Sequence, residues 1–503
     1  MRRLALVLFL AGCAGARGPS AKTTPAVAGD GSKPSLESAR ESPPPSGTPK
    51  EAPFPAVARV RLANGASLSV VTTPAQPLVH VRVLVRAGRA DAPAGVADLT
   101  ATMLKDGGTR ALVASEVVRR LEALGASLSV EVDADSTVLG TAVAKEHLES
   151  ALALLGQIVR EPRFDETELK KARARLEDEV AAAFRGHGTL AALRLVFREL
   201  YPPGHPYATF GALPQEVAKV DGAAVRAFYN QSYIAPLTTL VLAGDVDEAG
   251  AKTVAERHFG GLRGGTHLPK RPPGIAPPRT TRVFVAHRPK SVQSDVFVVT
   301  VAPERTSPTW PSVRVATQVL GGSFAGRLFL DVREKRSLAY RTYAEVIELA
   351  AGAEPTLAYA GTETAKTAEA AGALLSIVSG MTTSPPTAAE TESARRYLSD
   401  VFAVRMETVG AIADLVVKED ALGLGAGYWD GYRRGVRATE PEAAAAAAKQ
   451  VFGGPALLVV SGDADAIAPG LARFGEVVVV DPERELQTVK TIPRNEVGGA
   501  REK

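Results

Sequence analysis

The sequence predicts an α+β protein of two homologous domains, each an antiparallel-rich mixed sheet packed with helices. The chain has 503 residues and is 45% hydrophobic, enough to bury more than one core and too apolar for a disordered polymer. A stretch dense in glycine and proline, Phe259 to about Arg282, marks the best boundary between domains. On either side of it the same events recur in the same order.

In the first half, Val79 to Val85 (VHVRVLV) alternates as a half-buried strand does; in the second, Asp295 to Val301 (DVFVVTV) is its counterpart. Helical and further strand patterns follow each. Each half then reaches a strand ending in a Gly-Asp turn, LTTLVLAGDVD at 237–247 and PALLVVSGDAD at 455–465, whose aspartates Asp245 and Asp463 lie 218 residues apart. A helix start precedes each turn. Thr439-Glu440-Pro441-Glu442 reads as a capping box with proline in the first turn, leading into Ala443–Ala448, and Pro214-Gln215-Glu216 plays the same part earlier. The expected boundaries are a first domain at 55–262, a linker at 263–281, a second domain at 282–485 and a tail at 486–503.

The N-terminus predicts the compartment. Met1-Arg2-Arg3 is a short basic start and Leu4 to Gly12 an apolar run, too short to span a bilayer and suited to an export signal. Leu10-Ala11-Gly12-Cys13 resembles a lipobox, so residues 1–13 are expected to be a lipoprotein signal with Cys13 as the lipidation site. Cys13 is the sole cysteine and has no disulfide partner. Residues 14–54, rich in Pro, Ser, Gly and Ala, read as a disordered tether. The expected location is the bacterial cell envelope, lipid-anchored, with Ala14 after the cysteine pointing to the outer membrane facing the periplasm. The formal charge of +4 comes from 59 basic and 55 acidic residues, well mixed, and carries no nucleic-acid footprint.

The ordered landmarks resemble the pitrilysin/insulinase family of inverted-motif zinc peptidases, which includes processing peptidases and the core subunits of respiratory complexes. In the first half they are AGRADAP from Ala87, GVADLTATMLKDGGT at 95–109, VRRLEALGA at 118–126 and EPRFDETEL at 161–169. In the second they are LGGSFAGRLF at 320–329 and VREKRSLAY at 332–340. The resemblance implies a duplicated unit spanning about residues 55 to 485.

Active members of that family carry His-x-x-Glu-His on a helix, two histidines for Zn²⁺ and a glutamate to activate water. Here the motif falls at Asp98-Leu99-Thr100-Ala101-Thr102, so Asp98 and Thr102 stand where the histidines would, and Ala101 where the base would. The family's third ligand falls at Glu179. No pair among the seven histidines is spaced i, i+4, and no G-x-S-x-G elbow is present. The resemblance therefore implies a chain that binds no cofactor itself and is inactive alone.

The family's second-half pair is retained as Arg333 and Tyr340. At seven residues apart they would share a side of a helix that ran that far, with Leu328, Phe329 and Val332 buried and Arg333 to Arg336 solvated. By resemblance, the arginine contacts substrate backbone and the phenol donates to the oxyanion, in trans to a zinc-bearing partner subunit. Ser337 stands where glycine is usual, Gly326 where serine is usual, and Ser129 replaces an asparagine of the substrate-pairing edge strand. The function so implied is the non-catalytic, lipid-anchored subunit of a heterodimeric zinc peptidase acting on peptide or unfolded protein. The alternative is an enzymatically dead scaffold or peptide-binding protein of the envelope.

Overall fold

The computed structural model describes residues 52–269, 275 and 277–495. Cys13, the signal, most of the expected tether and part of the linker lie outside the described residues. The first half begins with strands β1 (Ala58–Arg61), β2 (Ser67–Thr72) and β3 (Leu78–Val85). Helices α1 (Val96–Asp106) and α2 (Ala114–Ala123) follow, then β4 (Ser129–Val132) and β5 (Thr137–Ala144). Next come α3 (Leu148–Arg160), α4 (Glu166–Gly186), α5 (Gly188–Leu200), α6 (Pro214–Ala218) and α7 (Gly222–Ser232). Strand β6 (Thr238–Gly244) and α8 (Glu248–Phe259) complete it.

The second half repeats the plan with β7 (Arg282–His287), β8 (Gln293–Ala302) and α9 (Trp310–Gly321). A π-helical segment, Phe329–Lys335, leads into β9 (Ala339–Val346) and β10 (Glu354–Glu363). Five helices follow, α10 (Thr367–Thr383), α11 (Ala388–Arg405), α12 (Val409–Ala421), α13 (Tyr428–Arg437) and α14 (Pro441–Phe452). The chain then runs through β11 (Leu457–Gly462), α15 (Ala464–Leu471), β12 (Val477–Asp481) and β13 (Gln487–Ile492).

The sheets are mixed. The first has the order β1-β2-β6-β3-β5-β4 and the second β13-β12-β7-β11-β8-β10-β9. Only β2–β6, β7–β11 and β7–β12 are parallel pairs. The two Gly-Asp strands, β6 and β11, sit at equivalent interior places and are buried at every residue. That follows from cover on both faces, which removes the polar alternation of a half-exposed strand.

The second cover comes from the other half. Helix α12 packs on β3 and β6 of the first sheet, where Ile412, Ala413, Val416 and Val417 meet Val71, Leu84, Val241 and Ala243. Helix α5 packs on β7, β8 and β11 of the second, where Leu193, Val196 and Phe197 share a core with Phe284, Phe297 and Val459. Each half thus lends one apolar helix to its twin. The exchange is pinned by charge: Asp414 pairs with Arg82 at 2.9 Å, and Glu419 with Arg59 at 3.1 Å. Lys418 and Arg305 both pair with Glu348 in the β9–β10 connection. Burial works against the Glu348 charge, but Lys418, Arg305 and Arg314 overcome it and hold the carboxyl below the usual range.

Three local expectations differ from the structure. The residue before α14 is capped by position alone: Glu440 is the N-cap, and the Thr439 hydroxyl donates back to the Gly435 carbonyl at 3.0 Å. A full capping box stands instead at Thr387 and Glu390, at the start of α11. The expected tail opens with β13, paired antiparallel to β12; its side chains are exposed along nearly its whole length, so no apolar alternation marks it. At the other end Phe54, placed in the tether by composition, packs on Phe402 and donates its amide to Asp430 at 3.1 Å.

Candidate functional site

The first-half site is built around α1. Ahead of it Gly88 lies against the β4–β5 turn, where a Cβ would meet the Asp133 carbonyl oxygen at 2.3 Å. Only glycine permits that approach. The turn aims Arg89 at Asp98: its Nε donates to both carboxylate oxygens, at 2.9 and 3.1 Å, and Nη2 lies 2.8 Å from Oδ1. Burial opposes the Arg89 charge, but Asp98 and Asp133 more than offset it and raise the guanidinium above its ordinary value. The carboxylate at the place of the first histidine is therefore already engaged.

The other positions offer less. Ala101 is buried and has no donor atom, and the Thr102 hydroxyl donates to the Asp98 carbonyl at 3.0 Å. Glu179 is exposed on α4, and α4 still packs along α1, tied by Arg175 to Asp106 at 2.8 Å. The helices keep their places while the ligands are gone. Catalytic zinc takes three protein ligands and an open position, and this donor set does not fit it.

Among the described residues, three ligand atoms converge within 4.8 Å only at His287, Asp463 and Asp465. All three are engaged structurally. The Ala464 amide donates to His287 Nδ1 at 3.1 Å, the Lys290 amide to Asp463 at 3.0 Å, and Lys490 to Asp465 at 2.6 Å. The cluster caps α15.

The second-half site is a helix-to-strand corner. Arg333 lies in the π-helical segment and Tyr340 on β9, so the two are not on one helix as their spacing suggested. The helix stops because Ser337 turns left-handed, at φ 51°. The wide turn closes with the Leu338 amide donating to the Val332 carbonyl at 2.9 Å. Such π segments recur at functional sites because they redirect a side chain by one residue. Here the result brings the pair together: the Arg333 guanidinium carbon lies 4.6 Å from the Tyr340 ring centroid and 4.6 Å from that of Phe329. The cation is held between two aromatic faces.

Leu328 and Val332 are buried as the sequence suggested, but Phe329 is only half-buried. Phe329 also packs on the exposed Phe324 at 4.9 Å. Neither aromatic was read as a site residue, and Phe329 was read as core because an apolar residue in a helical pattern reads so. Arg327 anchors the corner from behind, donating to both Glu390 oxygens at 2.7 and 2.8 Å. Tyr340 is 83% exposed, and among the described residues its hydroxyl makes no hydrogen bond. Strand β9 is the edge of its sheet. Arg333 and Tyr340 are brought into contact, and Asp98, Ala101 and Thr102 share α1, while among the described residues no hydrogen bond or ion pair joins Glu179 to them.

The insulinase (peptidase family M16) profile matches residues 69–200, and the peptidase M16 inactive-domain profile matches residues 219–398. An uncharacterized zinc protease, YmxG of Bacillus subtilis (strain 168), is 24% identical over 47% of this chain and 56% of its own length. Another, ML0855 of Mycobacterium leprae (strain TN), is 26% identical over 57% of this chain and 65% of its own. The match thus spans less than two thirds of these relatives. Subunit 1 of the mitochondrial cytochrome b-c1 complex of Homo sapiens is 26% identical over 42% of this chain and 44% of its own. A crystal structure titled as a peptidase M16 inactive domain from Pseudomonas fluorescens shares the fold at TM-score 0.73 and 24% identity, covering 81% of this chain and 98% of that one. A protease from Helicobacter pylori does so at TM-score 0.73 and 17% identity, covering 81% and 100%. With two profiles in tandem and the duplicated fold, the chain belongs to the insulinase family, peptidase M16, as a member that lacks the zinc motif.

Proposed function

We propose that this chain is the non-catalytic subunit of a two-subunit, zinc-dependent peptidase, anchored in the bacterial cell envelope through lipid at Cys13. The observation that carries the reading is the asymmetry between the two sites. The first half has no donor set for zinc, whereas the second presents a preassembled guanidinium and a free phenol at an open edge. Arg333, fixed between Phe329 and Tyr340, keeps N–H donors for the carbonyls of an extended peptide. The Tyr340 hydroxyl donates to the oxygen on which charge develops when water adds to the scissile carbonyl. Hydrogen-bond donors aimed at that developing charge can lower a barrier by several kcal/mol. The partner supplies the metal and its base; this chain binds no zinc.

The test is co-expression with a companion chain carrying an intact His-x-x-Glu-His, followed by peptide cleavage by each chain alone and by both together. Cleavage that requires both chains is the expected result. The similarity to a subunit of a respiratory complex supports the scaffold reading instead, and a pair that assembles without cleaving any peptide would favour it. Anchoring is tested separately: Cys13→Ala should move the protein out of the detergent phase.

A further inference from the structure

We infer that the outer face of the first half, where α3 ends beside α7, is a docking surface for an anionic phospholipid membrane. The face gathers four arginines, of which only Arg160 has a paired carboxylate. Arg160 ends α3, and the Tyr229 hydroxyl of α7 bonds to its carbonyl at 2.9 Å. Arg263 lies over the Tyr229 ring, 5.1 Å from guanidinium carbon to centroid, and donates to Asn230 at 2.9 Å. Burial pushes the Tyr229 phenol up, and the Arg263 and Arg110 charges oppose it.

Arg110 and Arg163 are held by backbone: the Arg110 amide donates to the Glu161 carbonyl at 2.9 Å, and the Arg163 amide to the Gly108 carbonyl at 3.2 Å. Both side chains are exposed, and among the described residues neither forms an ion pair. Glu161, 3.7 Å from Arg160, is the one carboxylate paired within the group. The nearby Arg119 and Arg120 do not belong to it, because Glu116 pairs with both.

Two exposed aliphatic side chains lie on the neighbouring segments. Val113, on the loop that carries Arg110, is 53% exposed. Leu268 is 67% exposed and follows His267, which bonds to Gln231 of α7. The Arg110 loop is closed by the Thr109 amide donating to the Leu112 carbonyl at 2.8 Å and the Leu112 amide donating to the Thr109 hydroxyl at 3.0 Å. Four arginines around one carboxylate, flanked by exposed aliphatic side chains, complement a negatively charged headgroup layer over acyl chains.

The surface does not depend on acylation, so it is tested on the chain from Ala14 onward, which keeps the whole compact unit Pro53–Lys503. Sedimentation with vesicles of phosphatidylethanolamine carrying about one third phosphatidylglycerol is compared with sedimentation on pure phosphatidylcholine. Binding should favour the anionic vesicles, and Arg110→Ala with Arg163→Ala should weaken it about 25-fold, each surface arginine contributing about fivefold. Arg119→Ala with Arg120→Ala should change it less than twofold. Equal binding to both vesicle types, no binding at all, or a double variant at 110 and 163 that binds like wild type would overturn the assignment. Thermal melts of each variant confirm that the fold is kept.

Discussion

The two halves are the same unit put to opposite uses. Their equivalent elements hold equivalent positions, down to the buried Gly-Asp strands β6 and β11 and the helices α5 and α12 that each lends the other. The second sheet flanks β7 with β12 and β13 where the first has only β1 beside β2, and the residues that bear on chemistry differ at a few positions. In the first half α1, at the place of the zinc motif, keeps its position, but Asp98 is absorbed by Arg89. In the second, the corner before β9 keeps Arg333 and Tyr340 stacked and open. Packing preserves a fold because every buried position constrains its neighbours, but packing does not require a metal-ligating atom at any of them.

The comparison is broken most severely through the exchanged helices. Val416 on α12 and Val196 on α5 are both fully buried, each against the other half's sheet. Val416→Asp and Val196→Asp should each remove about 4 kcal/mol or more by burying an unpaired carboxylate. Denaturant titration checks this, and a large effect from one alone would mean that only one half depends on its twin. Arg305→Met comes next. It leaves Glu348 to Lys418 and Arg314, and losing one partner of a buried pair costs about 3 kcal/mol. The same titration reads it.

A sharper contrast lies in two carboxylates at matched positions, each ten residues before the short helical turn that follows its strand. Asp135, ahead of β5, accepts from the Tyr207 hydroxyl at 2.6 Å and the Ala350 amide at 2.9 Å. Glu354, which opens β10, is fully buried, and no side chain hydrogen-bonds to its oxygens. Burial, with the Glu348 charge beside it, pushes its carboxyl up to about 9. A carboxyl raised in the folded state favours folding while protonated and loses that advantage as pH climbs from the unfolded value toward 9. Glu354→Gln should therefore stabilise the protein by about 1–3 kcal/mol at pH 8 and by nothing at pH 4. Melts across that range check the sign. The smallest effect belongs to Ser337, which occupies a left-handed position where the first half has Gly125. Ser337→Gly should raise stability by about 0.5–1 kcal/mol if relief of strain outweighs the added freedom of the unfolded chain.

Much of the fold was legible because burial leaves a period. Val79–Val85 and Asp295–Val301 lie within strands β3 and β8, and the Gly-Asp turns end strands of the two sheets. The exchange of α5 and α12 was not legible, since an apolar helix face records that it is covered but not by what. The first-half site was readable from residue type alone: alanine and threonine offer zinc nothing. The second was readable only as a pair. Its true geometry depends on a left-handed serine and a π-helical turn, and neither leaves a periodic signal. Phe329 looked like core because its spacing is that of Leu328 and Val332, and only the turn of the backbone half exposes it.

The central claim is that Tyr340 completes a partner's active site, and Tyr340→Phe in the reconstituted pair tests it most directly. Only an exposed hydroxyl is lost, so folding and assembly should be unchanged by thermal melt and by size-exclusion chromatography. Turnover should fall by a factor on the order of 10²–10³, as for loss of one oxyanion donor, with KM little altered because the charge it stabilises exists only in the transition state. Arg333→Ala should raise KM as well, since its contact to substrate backbone is already made in the ground state. A folded, assembled Tyr340→Phe pair that turns over at the wild-type rate would contradict the shared-site account.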